Sequence, residues 1–159
     1  MYSKYFLAAL LLTTSGAAMA QNPAAGANTG EQQTARLTPA QIKQNADMEQ
    51  GGLQVAALVD QGKLGDIWDG ATPAVKRLIT RDAFISQISA DRKTVGRLVS
   101  RSLAGLSYSQ SNGKSSPAGL YANVAFASKF ANEKQPVREL VSFHYDEDKI
   151  WRVSGYTLR

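Results

Sequence analysis

The spacing of apolar residues changes once along this chain, and that change decides what it can fold into. Between Thr38 and Ile88 apolar positions recur at helical intervals: Ile42 and Ala46, then Leu53, Ala56, Ala57 and Val59, then Phe84, Ile85 and Ile88. From Leu98 onward the interval is two. Leu120, Ala122, Val124 and Phe126 alternate toward Phe130, and Val137, Val141, Phe143 and Tyr145 alternate after them. Residues three and four apart share a helix face, whereas alternate residues share a strand face. The spacing therefore predicts helices first and strands second. The strand-forming segments are Leu98 to Tyr108, Leu120 to Phe130, Val137 to Tyr145 and Ile150 to Leu158. Ser109–Gly119, Asn132–Pro136 and Asp146–Lys149 join them, and connections this short suit antiparallel neighbours. The expected class is α+β: N-terminal helices packed on a curved four-stranded antiparallel meander sheet.

Local signals mark the helix ends. Thr38-Pro39-Ala40-Gln41 has a threonine cap, proline at the first helical position and glutamine to close a capping box. Gly62 is placed to end that helix. Gly51-Gly52 interrupts it, and two glycines cost about 2 kcal/mol relative to alanine, so a break or kink is expected there. Thr72-Pro73 opens a further helical turn, and Thr80 caps the helix carrying Phe84.

Residues 1–20 read as a secretory signal: Lys4, then the apolar run Tyr5 to Leu12, then Ala18-Met19-Ala20 as the cleavage site. The run is far shorter than the about 20 residues a membrane span needs. Cleavage after Ala20 would deliver the protein to the periplasm. Residues 21–37 hold Gln, Asn, Ala, Gly and Thr with almost nothing to bury, which predicts a disordered leader before a single domain over 38–159.

Composition excludes several chemistries. The chain has no Cys and one His, which removes disulfides, thiolate nucleophiles and multi-histidine or cysteine metal sites. Glycine-rich phosphate loops and a G-x-S-x-G elbow are also absent, so no metal and no cofactor is expected. The acidic run Asp146-Glu147-Asp148 lacks the alternating ligands and glycine of a calcium loop and reads as a solvated turn. His144 is out of phase with Val141, Phe143 and Tyr145, which are read as the inward face, so it is expected on the far side of the sheet, without a catalytic partner.

The closing segment Trp151-Arg152-Val153-Ser154-Gly155-Tyr156-Thr157-Leu158-Arg159, preceded by its acidic turn, resembles the final motif of the family called domain of unknown function 4019. Other pieces resemble it in the same order: Asp60-Gln61-Gly62 with Trp68, the R-x-x-x-G of Arg92 and Gly96 followed by Arg101, and Pro117-Ala118-Gly119-Leu120-Tyr121. Phe126 with Phe130-Ala131-Asn132-Glu133-Lys134, and then Glu139, continue the match, which spans about residues 46–159. Phe84 stands where the family often has tryptophan, and Leu140 where threonine is usual. The resemblance implies a bacterial exported protein with a fold similar to the cystatin-like, nuclear-transport-factor-2-like cone. It implies no activity, because that fold hosts enzymes and binding modules alike.

Charge and aromatics supply the candidate site. Lys76, Arg77, Arg81, Arg92, Lys93, Arg97 and Arg101 face only Asp82 and Asp91 within residues 76–101. This stretch carries as much positive charge as the whole chain's formal +5. Its two readings are a basic face for an anionic surface or partner and a solvated helix face. Nucleic acid is not expected, since no motif for it is present. Arg101 and Arg152 fall in predicted strands. Turned inward, they would need a carboxylate, and Glu139 is the natural partner. That set reads as an anion clamp or as a structural ion pair. Trp68, Tyr121, Phe126, Trp151 and Tyr156 would line a pocket or fill the core. The expected function is an exported, non-catalytic module that binds a small apolar or anionic ligand, or an envelope partner, through a concave sheet face. The alternatives are a small enzyme working through Glu139 beside Tyr121 or Tyr156, and an accessory structural subunit of an envelope complex.

Overall fold

A computed structural model describes residues 37–159; the signal and nearly all of the leader expected from the sequence fall on residues 1–36, outside the described residues. Four helices precede four strands: α1 (Pro39–Asp60), α2 (Leu64–Asp69), α3 (Pro73–Leu78), α4 (Arg81–Val95), β1 (Leu98–Ser111), β2 (Gly119–Phe130), β3 (Val137–Tyr145) and β4 (Trp151–Leu158). The strands form one antiparallel meander in the order β1-β2-β3-β4, so the α+β expectation holds.

The caps work largely as the sequence implies. Thr38 accepts from the Gln41 amide at 3.3 Å, and the Gln41 side chain accepts from the Thr38 amide at 2.8 Å, closing the box. α1 ends in a Schellman motif: the Lys63 amide donates to the Leu58 carbonyl at 2.9 Å and the Gly62 amide to that of Val59 at 3.0 Å. Gly62 supplies the positive φ of +72° that this turn requires. Thr80 caps α4 through the Ala83 amide. Thr72 precedes α3 but makes no side-chain cap; its hydroxyl is used elsewhere.

The expected break at Gly51-Gly52 does not occur, and α1 runs unbroken for 22 residues. The glycines serve packing instead. A β-carbon on Gly52 would sit 2.8 Å from a methyl of Val124, and one on Gly51 would sit 3.3 Å from the Phe143 ring. Helix backbone thus lies directly on sheet side chains. Burial of Met48, Val55 and Val59 against the sheet offsets the propensity penalty.

The core is the layer between helices and sheet. Ala122, Val124, Phe126 and Val141 are fully buried, under Val55 and Val59 of α1, Leu64 and Ile67 of α2, and Phe84 and Ile88 of α4. Register shifts interrupt the ladder at Leu98/Ser100 and Leu103/Gly105 in β1 and opposite Ser142/Phe143 in β4. Bulges of this kind bend a strand. The outer edge of β4 is held by the α2–α3 junction, where Ala71 bridges Val153 and the Thr72 amide donates to the Val153 carbonyl at 2.9 Å.

Candidate functional site

The polar residues singled out from sequence fall into two separate clusters. Glu139 is the centre of the first. It lies opposite Phe126 of β2 and Leu158 of β4, on the helix-covered face, and is completely buried. Arg101 of β1 grips it with two bonds, Nε to Oε2 at 2.6 Å and Nη2 to Oε1 at 3.0 Å. Ser128 of β2 donates to Oε2 at 2.5 Å, and Tyr156 of β4 donates to Oε1 at 2.6 Å. Four donors occupy the carboxylate's acceptor sites. Arg101 also donates to Asp60 at the end of α1, at 2.8 and 3.2 Å, and Arg92 of α4 donates to the same carboxylate at 2.9 Å. The Arg92 guanidinium lies 4.4 Å from the Phe130 ring centre.

This cluster joins Arg101 and Glu139 as the sequence suggests, but inside the packed layer rather than around a hollow. Of the two readings for Phe126 and Tyr156, pocket lining and core, the structure shows core. A carboxylate with every lone pair engaged, and paired with arginine, is poorly set up to take a proton from a substrate. Burial and the neighbouring Glu139 charge hold the Tyr156 hydroxyl well above the ordinary tyrosine pKa. An unfolded tyrosine ionises near pH 10. The folded state keeps its proton beyond that, so this contribution is full below about pH 10 and is lost as pH rises further. Alkaline titration followed by phenolate absorbance should show Tyr156 ionising only with unfolding, and Tyr156→Phe should lessen the drop in stability above pH 10.

The second cluster sits at the opposite end of the strands. Asp146, at the β3–β4 turn, accepts from Thr72 at 2.7 Å and Arg152 at 2.9 Å, and its other contact is His144 Nδ1 at 2.6 Å. Asp148 takes the rest of the Arg152 fork at 2.8 and 2.7 Å. Burial pushes the Asp146 carboxyl up, but hydrogen bonds from His144, Thr72 and Arg152 outweigh it and set the pKa below the usual carboxylate value. The acidic run is therefore not merely a solvated turn. Arg152 belongs here and does not converge with Arg101.

His144 lies on the far face, as its phase predicts, paired across the ladder with Tyr121 and Arg152. It is nonetheless buried, because Pro117–Gly119 folds over it. Its Nε2 is 3.1 Å from the Ala118 carbonyl and its ring meets Tyr121 edge-on at 4.8 Å, while the Tyr121 hydroxyl donates to the Pro117 carbonyl at 2.8 Å. A β-carbon at Gly119, φ +139°, would come within 2.4 Å of His144 Nε2, so only glycine fits. The two ring nitrogens of His144 thus meet the Asp146 carboxylate and the Ala118 carbonyl.

Between α3, the Pro117–Leu120 segment and the β3–β4 turn lies an open groove of about 730 Å³. Thr72, His144, Asp146 and Arg152 line it together with Lys76, Arg77 and Lys149. The remaining candidates disperse. Trp68 donates to the Ile79 carbonyl at 3.4 Å beneath Lys76, and Trp151 packs beside Tyr145 and Tyr108, both partly buried against the core. The basic residues do not form one face. Lys76 and Arg77 border the groove, Arg81 pairs with Asp69, and Arg92 and Lys93 close the last turn of α4. Cations there complement the negative end of the helix dipole. Lys93 and Arg97 line a second depression of about 590 Å³ near the end of α1. Thr72, Ser128 and Asp60 escaped the sequence reading as site residues, since each meets its partner only through the tertiary fold.

Helices laid on one face of an antiparallel meander, with a buried carboxylate–arginine cluster and an open polar groove, define the architectural class. Residues 52–156 match the family described as protein of unknown function (DUF4019), and the chain belongs to it. No curated protein and no solved structure matches it.

Proposed function

We propose that this protein is an exported, non-catalytic binding module that holds a small anionic ligand in the groove between α3 and the β3–β4 turn. The charge left over after internal pairing carries the reading. Arg152 and His144 are committed to Asp146 and Asp148, and Asp69 to Arg81. Lys76 reaches only the Asp69 carbonyl oxygen, and Arg77 and Lys149 have no carboxylate partner among the described residues. Glu147 is the single acid of the lining outside those pairs. The lining holds four cations and four acids, so the reading rests on Lys76, Arg77 and Lys149. Their charges meet no carboxylate among the described residues and are free to bond an anion in a concave site. Glu139 and His144, the residues best suited to proton transfer, are both held by internal partners, which supports binding over turnover. Export rests on Lys4, the Tyr5–Leu12 run and Ala18-Met19-Ala20. Among the described residues no helix is long and apolar enough to cross a membrane.

A thermal-shift panel of inorganic phosphate, citrate, acidic peptides and anionic glycan fragments tests this. At least one anion should raise the melting temperature. Arg77→Ala with Lys149→Ala should weaken that ligand about tenfold or more, as loss of charge-assisted bonds does. Stabilisation retained by the double variant, or none from any anion, overturns the reading. Amino-terminal sequencing of the secreted protein should begin at Gln21.

A further inference from the structure

We infer that two copies of this domain pair through their β1 edges, antiparallel and about a two-fold axis, to make one continuous sheet. This stands on features separate from the groove. The two edges of the sheet are treated differently. β4 is occupied by the α2–α3 junction through Ala71 and Thr72. β1 pairs only with β2 among the described residues, although at 14 residues it is the longest strand.

Free edges in monomers are usually kept short or guarded by charges and proline. β1 carries two bulges, between Leu98 and Ser100 and between Leu103 and Gly105, but it is long and has no charge or proline over most of its length. Ser102 to Ser111 contains no charge and no proline, and its residues are exposed or half-buried. Leu103 is 45% exposed and Tyr108 39%, although both oppose buried residues of β2 on the helix-covered face. Leu53 of α1, 49% exposed, lies two turns before Asp60 on the helix side that reaches Arg101.

A second copy is the occupant these features favour. Because the α2–α3 junction sits on β4 at Val153, β1 cannot pair along the full length of another protomer's β4. Pairing β1 with its own copy uses up the open edge of both and stops at two. The charges agree. Arg97 and Arg101 lie at one end of the edge, so antiparallel pairing keeps the two basic ends apart and joins the uncharged stretches. Parallel pairing would bring them together. The seam is about 46 Å long and about 10 Å thick from strand rise and sheet spacing, roughly 900 Å² over both copies. That is the small end of specific interfaces, so the dimer dissociates on dilution.

The chain has no native cysteine, so single-cysteine variants report self-contact alone. Under mild oxidation of the purified full protein, Ala104→Cys, beside the two-fold axis of a full-length seam, should give disulfide-linked dimers, and Ser107→Cys, Ser111→Cys and Lys129→Cys should not. Light scattering should show mass rising to twice the protomer with concentration. Leu103→Lys with Ser107→Lys should hold the mass at one protomer while circular dichroism stays unchanged. A single protomer mass at every concentration overturns the proposal. So does crosslinking at Ser111→Cys equal to that at Ala104→Cys.

Discussion

Arg101→Met is expected to destabilise the domain by about 3–5 kcal/mol, the range seen when one partner of a buried ion pair is removed. Glu139 is completely buried, and two of its four donors come from this guanidinium. Without it the carboxylate keeps only the Ser128 and Tyr156 hydroxyls, and Asp60 keeps only Arg92. A small domain is stable by about 5–15 kcal/mol in all, so the urea midpoint should fall steeply. The cluster takes one residue from each strand and adds Asp60 and Arg92 from α1 and α4. Its loss therefore acts on the whole fold and not on one hairpin. Removing both charges together, as Arg101→Met with Glu139→Leu, should cost less than Arg101→Met alone, because no buried charge is left unpaired. A loss under about 0.5 kcal/mol for Arg101→Met would mean that the pair behaves like an exposed surface bridge.

How far sequence can reach is visible in this cluster. The period change at Leu98 and the threonine caps are local signals, and the elements they predict are present. Arg101 and Glu139 could be joined because an inward charge in a strand needs an opposite charge, although the expected neighbouring strands prove to be β1 and β3, and the pair forms across β2. Ser128 gave no comparable signal, since a lone serine in a strand can face either way. Asp60 looked like part of a helix end, and its role depends on where α1 stops over β1. Arg152 was grouped with Arg101 because both sit in strands. The meander instead places it beside His144, next to the β3–β4 turn. The Thr72–Asp146 bond spans 74 residues, and no spacing rule reaches that far. A hollow lined by aromatics was expected because nothing in the sequence says how closely a helix approaches a sheet. Gly51 and Gly52 held that information, but they were legible only as poor helix formers.

Those glycines give the second large effect. Helix propensity alone predicts that replacing either one stabilises α1 by up to about 1 kcal/mol. At Gly52 packing reverses the sign. Three side-chain carbons of Val124, its β-carbon among them, would lie 2.8 to 3.1 Å from a new β-carbon, and Val124 is itself fully buried. Gly52→Leu adds three further carbons in the same place. It must lift α1 from β2, and that movement also draws Asp60 away from Arg101. Overpacking of this kind costs typically 1–3 kcal/mol and occasionally more, so a net loss of about 3 kcal/mol is expected for Gly52→Leu. Gly51→Ala is the control. Its β-carbon meets only the tip of the Phe143 ring at 3.3 Å, and a small ring shift relieves it. The gain in propensity then nearly cancels the contact, and stability should stay within about 0.5 kcal/mol of the parent. Urea midpoints for the two variants separate the readings. A helix hinge at these positions would make both substitutions stabilising, whereas close approach to the sheet makes only the one at Gly52 severe.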